Sequence, residues 1–252
     1  MRHFFLAFLA VIATTSPARA EPTEIVVRVI SEDAKFIGDS MGGVEVVLRD
    51  AKTGRALAKG KTSGGTGNTA RIMQANGRSP LIATPDAAAF SAQIDIDEPR
   101  LVNLEASGPV NRPASKIWVT SQRWIMPGQP VTAGDGWVVE LPGLAITSSA
   151  RVVQRDSSSD TQAVSVSAKV ELLCGCPITP AGLWDAKDYQ VTVSIWQPGR
   201  RIDEAPLVFV ESPGGFAGEL RVARKGRFRM YVHARNLVTG NSGITELLWP
   251  ER

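Results

Sequence analysis

The sequence predicts an all-β protein built from two tandem β-sandwich domains behind a signal peptide. Three observations support this prediction: an apolar N-terminal segment that ends in small residues, strand-like alternation of apolar and polar residues on both sides of residue 147, and turn-forming residues at regular intervals. The predicted boundaries are 1–20 for the signal peptide, 21–146 for the first domain and 147–252 for the second.

The first twenty residues have the layout of a secretory signal peptide. Arg2 and His3 precede an apolar stretch over residues 4–13, and an Ala-Arg-Ala segment ends at residue 20, just before Glu21. The apolar stretch is too short to cross a bilayer, which takes about 20 residues. An uncleaved anchor helix is the alternative. We therefore expect a periplasmic or secreted protein that is not membrane-spanning after signal cleavage.

The charge of the chain argues against two classes of partner. Of the 28 Lys and Arg residues, Arg2 and Arg19 lie in the predicted signal peptide, which contains no acidic residue. Removing these two leaves 26 basic residues against 25 acidic ones, a net charge of +1. Because the charge is balanced and no basic cluster occurs, the sequence argues against binding of nucleic acid or of an anionic membrane.

Short strands account for most of the first domain. Val44, Val46 and Leu48 alternate with Glu45 and Arg49, which predicts a strand with one buried face. Residues 62–89, rich in Gly, Asn, Ser and Pro, are expected to form a long loop with a short irregular helix around residues 70–74. Further strands are predicted at 24–30, 56–60, 90–96, 100–106, 116–121 and 136–141.

One part of this domain has a family resemblance. The segment Gly43–Asp50, followed by Thr53-Gly54 and by Ala58–Thr62, resembles the start of carboxypeptidase-regulatory-like or transthyretin-like sandwich modules. Those modules open with a V-x-V-x-D strand, a T-G turn and a strand ending in G-x-T. The glycine-rich insertion after Thr62 departs from their pattern. The resemblance implies a transthyretin-like sandwich with a structural or binding role.

The second domain has a clearer strand pattern. Between residues 163 and 173, valine, alanine and leucine alternate with serine, lysine and glutamate. Further strands are predicted at 151–154, 189–196, 205–210, 218–223, 226–235 and 244–249. Six or seven short strands separated by turns resemble an immunoglobulin-like or fibronectin-like sandwich, and residues 226–234 resemble the penultimate strand of such domains. This resemblance concerns the fold alone.

No recognisable set of catalytic residues occurs in the sequence. Behind the signal peptide His233 is the only histidine, which leaves one residue for a histidine-based triad or zinc site. The glycines at 64–67 lack the Gly-Lys-Ser/Thr of a phosphate-binding loop. Asp95 and Asp97 are the candidate pair for a carboxylate-based hydrolase, but their i, i+2 spacing on a strand indicates a solvated face. We therefore expect no enzyme activity.

Cys174-Gly175-Cys176-Pro177, directly after a predicted strand, is the sharpest chemical feature. In an exported protein the two thiols are expected to oxidise, and Gly175 can bend the backbone enough for a local disulfide. A second interpretation is a soft-metal site in which both thiolates hold Cu(I), with His233 or Met230 completing it. Redox exchange and an intermolecular bridge remain further alternatives.

Aromatic side chains supply the candidate contact residues. Trp184 and Asp185 lie in an irregular segment and are interpreted either as a plug of the core or as part of a partner-contact loop. Trp124, at a strand end, is predicted to be a surface residue that contacts a partner, whereas Trp118 and Trp196 are predicted to be core residues.

Together these observations predict a non-catalytic exported binding or accessory protein of the cell envelope, without a cofactor. Its sandwich loops are expected to contact an envelope or extracellular protein. The main alternative is a copper-handling or thiol-redox protein that uses Cys174 and Cys176, and the least favoured one is a carboxylate-based hydrolase.

Overall fold

A computed structural model describes residues 20–155, 160–210 and 213–247. Residues 1–19, which make up nearly all of the predicted signal peptide, lie outside this part of the chain, as does Trp249. The described residues form strands in three sheets, together with one short α-helix and three 3₁₀ turns. The predicted all-β class is confirmed. Within the described ranges, no helix is long and apolar enough to cross a membrane.

Seven strands before residue 142 form the N-terminal unit. They are β1 (Glu21–Ser31), β2 (Glu45–Asp50), β3 (Ala56–Lys61), β4 (Phe90–Ile96), β5 (Arg100–Gly108), β6 (Ile117–Ile125) and β7 (Trp137–Leu141). One sheet has the order β3-β2-β5-β6 and is antiparallel throughout. The other has the order β4-β1-β7, in which β1 and β7 run parallel. Alternate side chains of both sheets point inwards and form one aliphatic core, which includes Val27, Leu48 and Leu104.

Seven more strands form the C-terminal unit. They are β8 (Leu144–Arg155), β9 (Thr161–Leu172), β10 (Tyr189–Gln197), β11 (Arg200–Phe209), β12 (Gly215–Ala223), β13 (Arg229–Asn236) and β14 (Ser242–Leu247). They pair in the order β14-β13-β10-β11-β12-β9-β8. Since β11 and β12 share only two residue pairs and the end strands β8 and β14 lie side by side, the sheet curls around a core of its own. The predicted boundary at residue 147 lies inside β8.

Side chains cross between the two units. Leu173, directly after β9, and Ala145 of β8 are buried in the core of the N-terminal unit. In the opposite direction, Ala34 joins the core of the C-terminal unit. Arg112, between β5 and β6, forms an ion pair with Glu171 of β9 at 2.6 Å. The two cores are therefore distinct but physically continuous at one junction.

The long segment between β3 and β4 is anchored to the N-terminal unit. It contains the helix α1 (Thr69–Met73), whose Ile72 packs in a small cluster with Phe36. The Asp135 carboxylate accepts hydrogen bonds from the backbone N–H groups of residues 82 and 83, at 2.8 and 3.0 Å. The expected irregular helix in this segment is present.

The turn between β2 and β3 depends on one carboxylate. Asp50, only 2 % exposed, accepts hydrogen bonds from the backbone N–H groups of Lys52 and Thr53 at 2.9 and 2.8 Å. Arg100 donates to its second oxygen at 3.1 Å. The N–H of Thr53 contributes most to holding the pKa of Asp50 below its ordinary value, and Arg100 acts in the same direction.

This lowered pKa predicts an acid-sensitive contribution to stability. Because Asp50 is more acidic in the folded chain, its contribution is present above the unfolded pKa and is lost as the pH falls through the folded pKa. We expect Asp50→Asn to be less stable than the parent at pH 7, and the difference to shrink as the pH falls below about 4. Urea unfolding of both proteins at pH 7 and below pH ~4 measures this difference in the free energy of unfolding. A difference that does not change with pH would contradict the prediction.

Candidate binding surface

Strand β6 lies at the edge of the four-stranded sheet and exposes one of its faces. Its side chains alternate, so that one set points towards the core and the other towards solvent. The outward set consists of Trp118, Thr120, Gln122 and Trp124, and we call these four residues the β6 strip.

Both tryptophans of the β6 strip are open to solvent. Trp118 is 68 % exposed and Trp124 is 66 % exposed, although tryptophan is usually well covered in folded proteins. They stand six residues apart on one strand, a separation of about 20 Å. The predicted burial of Trp118 is therefore wrong, and so is that of Trp196, which is 38 % exposed. Val119 and Ile125, which face the core, are also six residues apart, and each directly follows one of the tryptophans. Because neighbouring residues of a strand point to opposite faces, this spacing places both tryptophans on the outer face.

The opposite face of β6 fixes the strip in place. Ile125 is buried and Val119 packs against the core of the N-terminal unit. Between them, the Ser121 hydroxyl accepts a hydrogen bond from the indole N–H of Trp137 in the facing sheet, at 3.2 Å. Both tryptophans of the strip are consequently carried by a strand anchored at several points, so their separation is set before any ligand arrives.

Neutral polar groups lie between the two exposed rings. The Gln122 side-chain amide donates to the Asn103 carbonyl oxygen on β5 at 2.7 Å. This single bond leaves the Gln122 carbonyl oxygen and the Asn103 NH₂ group with unused hydrogen-bonding capacity among the described residues. Thr120 adds an exposed hydroxyl. The strip thus combines two apolar rings with donors and acceptors placed between them.

Two ion pairs lie on the same sheet face as the strip, in addition to the exposed Lys59 and Lys61 of β3. Arg49 contacts Glu105 at 3.1 Å, and Lys116 contacts Glu45 at 2.6 Å. The hydrogen bond from Lys116 is the main reason why the pKa of Glu45 is lowered, so this carboxylate stays ionised beside its partner. The charges of these two pairs, which are the ones described next to the strip, are therefore compensated within the sheet.

The cysteines lie at the junction between the units. Cys174 and Cys176 are at disulfide distance, with Cα atoms 5.4 Å apart, and Gly175 between them has φ = 79°. That left-handed conformation suits glycine and lets the chain fold back. The Ser40 hydroxyl of the N-terminal unit donates to the Cys174 carbonyl oxygen at 3.3 Å. The pair is buried at a corner between the units.

The residues predicted to complete a copper site lie on different faces of β13. Met230 is fully buried in the same core as the cysteines, whereas His233, three residues along, is partly exposed on the outer face of the sheet. The two side chains therefore point to opposite sides of the sheet, so at most one of them could complete a given site. In the described ranges no group of three or more His, Cys, Asp or Glu residues is placed to hold a metal ion.

Trp184 and Asp185 contact other parts of the chain. The Trp184 indole packs against the core of the C-terminal unit and donates to the Asp33 carbonyl oxygen of the N-terminal unit at 2.9 Å. The Asp185 carboxylate pairs with Lys187 at 3.0 Å, and the hydrogen bond from Lys187 is the main cause of its lowered pKa. Trp184 therefore bridges the two units.

The two carboxylates considered for hydrolysis have separate surroundings. Asp97, just after β4, pairs with Arg100 at 2.9 Å, and that hydrogen bond is the main reason why its pKa is lowered. Asp95 is exposed on β4. A general acid needs a raised pKa, so Asp97 is unsuited to that role.

Comparison with protein-family models and with curated proteins finds no match to this chain.

Proposed function

We propose that this chain is a non-catalytic, exported binding protein of the cell envelope, located in the periplasm or outside the cell. In this proposal the N-terminal unit is a transthyretin-like sandwich and the C-terminal unit an immunoglobulin-like one. The arrangement of seven strands in two facing sheets supports the first assignment, and the curled antiparallel sheet supports the second. The binding surface is the β6 strip.

The observation that carries the proposal is the exposure of Trp118 and Trp124 on one rigid strand. Burying a large apolar side chain contributes about 1.5–3 kcal/mol, so two uncovered indoles are a substantial unused source of binding free energy. Tryptophan is also strongly enriched among residues that dominate binding interfaces. A ligand that covers the β6 strip would therefore bury both indoles, and ligand binding is the role for which this surface is best suited.

The alternatives lack a comparable observation. Both sulfur atoms of Cys174 and Cys176 are at bonding distance from each other, and the thiolates that Cu(I) prefers form only on reduction. For the hydrolase, the pairing of Asp97 with Arg100 favours a structural role.

Cell fractionation followed by sedimentation with isolated envelopes tests this proposal. We expect the full chain, expressed with its leader, to be exported, to begin at Glu21 and to sediment with the envelope fraction. Trp118→Ala/Trp124→Ala should reduce sedimentation about tenfold or more, because two covered rings are lost. Trp196→Ala, which removes a partly exposed indole from the C-terminal unit, is the matched control. Equal sedimentation of all three proteins would contradict the proposal.

A further inference from the structure

We propose that the β6 strip binds an extended, uncharged β-1,4-linked polysaccharide chain, an inference that rests on the proposed binding function. The strip presents two exposed indoles and, between them, an amide pair and a hydroxyl. A pyranose ring has an apolar face of C–H groups and a rim of hydroxyls. Its face stacks on an indole while its rim exchanges hydrogen bonds with neutral polar side chains.

The geometry of the strand favours an extended chain. Trp118 and Trp124 lie on one strand with their backbones about 20 Å apart, so one ligand must stretch over several sugar rings to reach both. β-1,4 linkages give a flat, ribbon-like chain that follows such a line, whereas α-1,4 linkages give a helical chain that curves away. The separation of the rings therefore favours a β-1,4 linkage.

Charge and polarity favour a glycan over a protein. The charged side chains beside the strip are already paired within the sheet, as Arg49 with Glu105 and Lys116 with Glu45. Arg49 and Lys116 are therefore neutralised by carboxylates of the sheet itself. The rings are also separated by Thr120 and Gln122, whereas the centre of a protein interface is a continuous apolar patch. The strip therefore alternates apolar rings with polar side chains, and a sugar chain offers the matching sequence of apolar ring faces and hydroxyl groups.

Pull-down on insoluble chitin and cellulose, with amylose as the α-linked comparison, tests the inference on the exported full chain. We expect retention on chitin or cellulose, release by the corresponding soluble oligosaccharide, and little retention on amylose. Trp118→Ala/Trp124→Ala should weaken binding by about tenfold or more, because both stacking surfaces are lost. Trp118→Phe/Trp124→Phe keeps two aromatic faces and should retain most of the affinity, whereas Trp118→Leu/Trp124→Leu should not.

Circular dichroism and thermal melting establish that each variant is folded, and Trp196→Ala again serves as the control. Retention on amylose equal to that on cellulose would overturn the inference. Failure to bind either β-linked polymer, with tryptophan-dependent sedimentation on envelopes intact, would overturn the glycan assignment and leave the proposed function standing. Absence of both polymer binding and tryptophan-dependent sedimentation would overturn the glycan assignment and the proposed function together. If the alanine variant instead converts a dimer into a monomer, the strip is covered by a second copy and the glycan inference is wrong.

Discussion

Replacing Arg112 by methionine is expected to lower the free energy of unfolding by about 3 kcal/mol, the lower end of the range for breaking a buried ion pair. Two guanidinium nitrogens of Arg112 contact one oxygen of Glu171, at 2.9 and 2.6 Å. The Glu171 side chain is only 7 % exposed, so these contacts take the place of much of its solvation by water. Lys169, at 3.2 Å from the second oxygen, remains and limits the loss.

A double-mutant cycle separates the ion pair from the loss of the arginine stem. Arg112→Met leaves the buried Glu171 carboxylate with Lys169 alone, whereas Arg112→Met/Glu171→Met replaces both charges by apolar groups, and Glu171→Met completes the cycle. We expect the double variant to recover at least half of the stability lost in Arg112→Met, measured by urea unfolding with equal m-values. Additive losses would mean that the two side chains do not interact, and that the contact across the junction contributes little.

Strand positions could be predicted from the sequence because burial imposes a period of two. The predicted strand at 90–96 coincides with β4, and the prediction at 100–106 lies inside β5. The Cys174-Gly175-Cys176 spacing also predicted a local bridge, since glycine was the residue able to fold back between the cysteines. These features are local, and local sequence is enough to specify them.

The orientation of β6 could not be read in the same way. Its inward set mixes Val119 and Ile125 with Ser121 and Arg123, while its outward set contains both tryptophans, so hydrophobicity did not single out one face. At a sheet edge, an inward position need not be fully covered, and a polar residue can occupy it. Which face packs on the second sheet depends on β7 and the side chain of Trp137, which lie elsewhere in the chain.

The contacts between the two units could not be predicted from the sequence either. Leu172 and Leu173 are adjacent and both fully buried, yet Leu172 belongs to the core of the C-terminal unit and Leu173 to that of the N-terminal unit. Alternation along β9 accounts for the first, because Leu172 continues the inward set of that strand. Leu173 follows the end of β9, where the chain turns and its side chain enters the neighbouring core.

This division gives a second large prediction, because one chemical change at two neighbouring positions should have different consequences. Leu173→Ala is expected to cost about 2–5 kcal/mol, the range for truncating a buried leucine. It also removes the largest side chain that the C-terminal unit places in the other core, so the units should become less tightly coupled. In calorimetry we expect one unfolding transition for the parent and two for Leu173→Ala.

Leu172→Ala is the matched control, since it removes the same atoms from a position that is equally buried. Its cost should fall in the same range, but the junction side chain stays in place, and we expect the two units to keep unfolding together. A single transition in both variants would show that coupling depends on the polar contacts of Arg112 and Trp184 rather than on Leu173. Combining Leu173→Ala with Arg112→Met then decides between these two sources, because residues that act through one junction lose additivity.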